Sequence, residues 1–112
     1  MSKHPEEYLR HILDEINYLL DACTDIGEEE FMADETLQRA FARSIEIIGE
    51  AAKNLPKDFV EKHSNVDWKS IAGMRDKLIH EYFGVDYEIV WDVATNEVSK
   101  LKSQIEEILE GK

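Results

Sequence analysis

The sequence predicts an all-α protein, an antiparallel four-helix bundle with a short extra helix, on three observations. Apolar residues recur at three-and-four spacing through four long segments. Those segments are bounded by residues that start or stop helices, and no stretch reads convincingly as a strand. Short connections between long amphipathic helices favour antiparallel neighbours.

The first segment runs from about Pro5 to about Thr24. Pro5 suits a first helical turn, where its missing N–H would have no partner in any case. Tyr8, Ile12, Leu13, Ile16, Leu19, Leu20 and Cys23 make one apolar stripe. "DIGEEEF" then interrupts it with Gly27 and an acidic cluster. The second segment starts at Asp34, a good N-cap, and reaches about Asn54, with Leu37, Phe41, Ile45, Ile48 and Ala52 on its inner face. Pro56 ends it, and "PKDFVEKH" reads as a connecting helix of a turn or two. Asp67 caps the third segment, which carries Trp68, Ile71, Leu78 and Ile79 and is expected to stop near Gly84. Asp86 caps the fourth, where Ile89, Val90, Val93, Leu101, Ile105 and Ile108 form the stripe until Gly111.

At 112 residues the chain fits one domain, 1–112, with no internal repeat, low-complexity tract or linker. A hydrophobic content of 43% beside 34% charged residues is that of a globular, soluble chain. The lone Cys23 rules out an internal disulfide. "MSKHPEEYLR" lacks the layout of a signal peptide, and no apolar run is long enough to span a bilayer. The expected location is therefore the cytoplasm, away from membranes. The net charge of −12 repels nucleic acid when taken over the whole surface. A nucleic-acid function would need a local basic patch.

Metal chemistry finds little support. Bundles that hold two metal ions use Glu-x-x-His, but the residues three before His11, His63 and His80 are Tyr8, Val60 and Lys77. "HEYFG" fails the zincin pattern at its last position, and the glycines are scattered singly, so no phosphate-cradling loop is formed. Neither metal nor cofactor is expected. His4 and His11 read as solvated or ordinary helix-face residues, and Cys23 as a small buried hydrophobe.

"GMRDKLIHEYFGVD", residues 73–86, gathers Arg75, His80 and Tyr82 in a chain otherwise crowded with acid. On a straight helix Arg75 and Tyr82 fall within about 20° of each other, whereas His80 lies about 140° from Arg75 and about 40° from Asp76. Asp76 could then hold the His80 imidazole and fix its tautomer. Either the helix end near Gly84 distorts, or a second chain completes the site. Spacing alone leaves open the plain alternative of a surface arginine and histidine and a core-rim tyrosine.

Arg75, His80 and Tyr82 read as R-x4-H-x-Y, which resembles the signature of the HepT family within the HEPN superfamily. "SIEIIGEAAKNLP" (44–56), "WKSIAGMRDKLIHEYFGVD" (68–86) and "VW" (90–91) resemble family segments in the expected order, so the likeness covers nearly the whole chain. The position after the arginine, often Asn in the wider superfamily, is Asp76 here. The resemblance implies a HEPN-like helical bundle that forms a homodimer, with two motifs facing one another in a cleft. It implies a toxin of a toxin–antitoxin pair, a metal-independent endoribonuclease acting on RNA. Its partner would be an MntA-like nucleotidyltransferase antitoxin that moves AMP from ATP onto Tyr82 and silences the toxin.

That chemistry suits the residue types. His80 can move protons near neutral pH. Arg75 stays charged and offers phosphate a planar fork of donors. Tyr82 can bind phosphate or stack on a base, and its hydroxyl is a reasonable acceptor for AMP. Arg75 and Lys77 supply local positive charge, with Arg39, Arg43 and Lys53 either rim contributors or simply solvated. Glu50 is either a supporting carboxylate or a plain surface residue. Two other readings stand beside the toxin: a non-catalytic partner module modified by a nucleotidyltransferase, and a structural dimer carrying an inactive motif.

Overall fold

The computed structural model describes residues 4–80 and 84–111; residues 1–3, 81–83 and 112, and the side chains of Ile79 and His80, lie outside that description. Helix α1 (Pro5–Cys23) buries Ile12, Ile16 and Leu19 of the expected stripe together with Leu9, which that stripe omitted, while Tyr8, Leu13, Leu20 and Cys23 pack partly buried beside them. Each such side chain taken out of water contributes roughly 1.5–3 kcal/mol before entropy is counted. Helix α2 (Glu28–Ala33) follows, then α3 (Glu35–Lys53), which Asp34 caps by accepting a hydrogen bond from the Leu37 N–H.

Helix α3 is the central element. It packs against α1 on one side, and on the other against α5 (Trp68–Ala72), α6 (Met74–Leu78) and α7 (Tyr87–Asp92). Its buried face holds Phe41, Ile45, Ile48, Ala51 and Ala52. Ser44 donates a 2.8 Å hydrogen bond from its hydroxyl to the Glu15 carboxylate of α1, so the polar atom buried there is satisfied. Gly49 sets the distance to α5. A Cβ at that position would sit 3.3 Å from the Ile71 carbonyl oxygen and 3.4 Å from that of Ala72. These are helix backbone atoms, which move only if α5 moves.

Helix α4 (Lys57–Lys62) is the short connecting helix expected after Pro56. Helix α7 runs through a π-helical turn (Val93–Glu97) into α8 (Val98–Leu109), which packs on α1 and closes the four-helix arrangement. The Thr95 hydroxyl donates to the Trp91 carbonyl at 2.7 Å in that turn, competing with the regular helical ladder.

Three expectations need correction. "DIGEEEF" is only partly an interruption, because α2 forms there to bury Phe31 completely. The third segment does not continue to Gly84: it breaks at Gly73 into α5 and α6 and ends at Leu78. Strand structure is present after all, in a two-residue ladder of β1 (Ile79–His80) against β2 (Gly84–Val85), antiparallel with Ile79 opposite Val85 and His80 opposite Gly84. Gly84 has φ +76°, a conformation that side-chain-bearing residues rarely adopt. The Asp86 N–H donates to the Leu78 carbonyl at 2.7 Å, and Asp86 then caps α7, as the sequence suggested for that residue.

Candidate active site

The site begins with what fixes α5 and α6. Asp67 caps α5 by accepting from the Ser70 N–H, and Trp68 is buried with its indole N–H donating 3.0 Å to the His63 carbonyl. Met74 and Leu78 of α6 point into the core. That registration turns the intervening Arg75, Asp76 and Lys77 outward, all three exposed.

Arg75 meets α3 there. Its Nε lies 3.8 Å from Oε2 of Glu46, and the same oxygen accepts a 3.4 Å hydrogen bond from Nη1 of Arg43. Arg75 is half-exposed, so this pair contributes at most about 1 kcal/mol to stability once solvent screening is counted. Beside it a small cleft of about 110 Å³ is lined by Gly49, Glu50 and Lys53 of α3, together with Ala72, Arg75 and Asp76. The close approach at Gly49 brings this wall of α3 against the end of α5.

The structure therefore brings together Arg75, Asp76, Glu50 and Lys53, and reaches Arg43 through Glu46. Arg39 belongs elsewhere, paired at 2.7 Å with Glu35 one turn earlier on its own helix. The helical angles expected between Arg75, Asp76 and His80 do not apply, because α6 ends at Leu78 and the His80 backbone belongs to β1. The expected Asp76–His80 pairing falls on a side chain outside the described residues. The His80 side chain and the whole of Tyr82 lie outside the described residues.

Glu46 was missed in the sequence. Its relation to Arg43, three residues earlier, is visible there, but its meeting with Arg75 depends on how α3 and α6 pack. Burial pushes the Cys23 thiol above its ordinary pKa, which disfavours the nucleophilic thiolate. Among the described residues, no three His, Cys, Asp or Glu side chains cluster to hold a metal ion. No helix among them is long and apolar enough to cross a membrane.

A helical bundle is the class of fold that the HEPN-like reading anticipates. Residues 12–108 match the family model described as "Ribonuclease HepT-like", and the chain belongs to that family. It is 57% identical over 108 residues to a candidate RNase of Caldanaerobacter subterraneus subsp. tengcongensis, covering 96% of each chain. It is 46% identical to a candidate RNase of Methanocaldococcus jannaschii, over 96% of this chain and 88% of the relative. A protein named probable ribonuclease HepT in Thermococcus cleftensis is 39% identical over 96% of this chain and 98% of its own. No solved structure matches the chain. Family membership makes the protein an enzyme, a ribonuclease.

Proposed function

We propose that the protein is a metal-independent endoribonuclease toxin whose site forms where two copies of the motif meet. The observation that carries this reading is the placement of Arg75. It stands on an exposed helix end, 3.8 Å from Glu46 and immediately before the strand that bears His80. In this reading a base removes the proton from an RNA 2′-hydroxyl, whose oxygen attacks the adjacent phosphorus. The bond to the 5′-oxygen breaks, and that oxygen takes up a proton as it leaves. A 2′,3′-cyclic phosphate and a 5′-hydroxyl result.

His80 is the proton-transfer group, and Arg75 meets the negative charge that grows on the phosphoryl oxygens. Asp76, beside Arg75 in the cleft, supports the site. Tyr82 is the acceptor for AMP from an MntA-like nucleotidyltransferase. The added charge and bulk close the cleft to RNA. A homodimer supplies the second motif.

Purified protein is expected to cleave RNA in the presence of EDTA. His80→Ala should lose at least a hundredfold in kcat with its melting temperature unchanged. Full cleavage by that folded variant would remove His80 from the mechanism. Growth arrest when the protein is produced alone separates a toxin from a passive module of a nucleotidyltransferase.

A further inference from the structure

Three arginines of the described chain have carboxylate partners close by in their own helices, but the pairs are not alike. Arg10 reaches Glu6 at 2.8 Å and Arg39 reaches Glu35 at 2.7 Å, both distances of a full charge-assisted hydrogen bond. Arg43 stands 3.4 Å from Glu46, and the same carboxylate oxygen also faces Arg75 at 3.8 Å. One carboxylate is thus shared between two guanidinium groups from two helices, and it reaches neither at the short distance that the other pairs attain. Glu46 is outnumbered by the two guanidinium groups that face it, although the adjoining cleft adds Glu50 and Asp76 beside Lys53. The pair stays open to solvent, with Arg43 at 61% and Arg75 at 53% side-chain exposure, while Glu46 is only 28% exposed.

We propose that Arg43 and Arg75 together form a phosphate seat for the RNA backbone, in which the Glu46 carboxylate is the resident oxyanion that substrate phosphate replaces. The inference rests on the ribonuclease reading and adds to it a substrate contact from α3. A carboxylate presents oxygens to guanidinium donors much as a phosphate does, and Glu46 Oε2 lies between Nη1 of Arg43 and Nε of Arg75. A phosphodiester has a comparable charge and also two unesterified oxygens, enough to serve both arginines at once. In a chain of net charge −12, a seat of this kind is how RNA could be held at one place while the remaining surface repels it.

The test uses a fluorescent single-stranded oligonucleotide with 2′-O-methyl groups, which lacks the attacking hydroxyl and reports binding alone. The α1 pair of Arg10 and Glu6 is the internal control, because Arg10 has the same 61% side-chain exposure as Arg43. Arg43→Ala is expected to weaken binding about tenfold and to lower the slope of log affinity against log salt by about 0.7, the loss of one phosphate contact. Arg10→Ala should leave both unchanged. Glu46→Gln should tighten binding several-fold by removing the competing charge, whereas Glu6→Gln should have no such effect. The seat is overturned if Arg43→Ala behaves like Arg10→Ala, or if Glu46→Gln leaves binding unchanged or weaker. Failure of the unmodified protein to bind the oligonucleotide or cleave RNA would instead overturn the ribonuclease reading, and the seat with it.

Discussion

Arg75 is the residue on which sequence and structure meet most directly. Its spacing from His80 and Tyr82 singles it out in the chain, and the fold turns it outward because Met74 and Leu78 are committed to the core. A lysine in its place would keep the charge but lose the planar, multi-donor fork. Arg75→Lys is therefore expected to retain the fold and to lose roughly ten- to a hundredfold in kcat/KM, about 1.4–2.7 kcal/mol of transition-state stabilisation. Steady-state kinetics on a defined RNA would check this, and near-normal turnover would reduce Arg75 to a simple point charge. Glu46 could not be read in the same way. Nothing in "SIEIIGE" says which of its two glutamates faces the motif; α3 turns Glu46 to Arg75 and leaves Glu50 exposed at the cleft.

At the scale of elements, the caps were legible and the interruptions were not. Asp34, Asp67 and Asp86 each accept backbone hydrogen bonds at the helix starts expected of them, because a short carboxylate next to unpaired N–H groups is a local device that needs no tertiary help. The short α2 is the opposite case. Three consecutive glutamates hide its apolar pattern, yet Phe31 lies 4.9 Å from Phe41 and 5.2 Å from Trp91 between ring centroids, within a cluster that also meets Tyr87. Tertiary burial of one ring, not helical propensity, holds this element. Phe31→Ala should cost about 3–5 kcal/mol, visible as a lower chemical-denaturation midpoint, and α2 should lose its anchor. A change under 1 kcal/mol would mean that α2 contributes little to the core. The end of α6 was also hidden, since Leu78 and Ile79 continue a helical stripe by residue type alone. Pairing with β2 and the Asp86–Leu78 hydrogen bond redirect the backbone there.

For the whole molecule, the excess of acid sets the terms on which RNA can approach. Long-range repulsion from a charge of −12 is screened within about 10 Å at 0.1 M salt, so a small cationic seat can act locally beneath it. A paired assembly makes a sharper prediction. If each site takes Arg75 from one protomer and His80 from its partner, co-producing Arg75→Ala and His80→Ala chains leaves one intact site in every mixed dimer. Cleavage should then reappear at up to about half the normal level per mixed dimer, although each variant alone is inactive. No recovery in dimers verified as mixed would place both groups of a site on one chain.

The sequence by itself determined the helical class, the caps, most of the inner stripes and the R-x4-H-x-Y signature, because each depends on residues within a few positions of one another. Only the tertiary structure decided that Gly49 admits the α5 backbone, that Glu46 stands between Arg43 and Arg75, and that the helix before His80 gives way to a strand. Those features arise where segments far apart in the chain are pressed together. Their geometry is set by packing across the core, which local propensity does not encode.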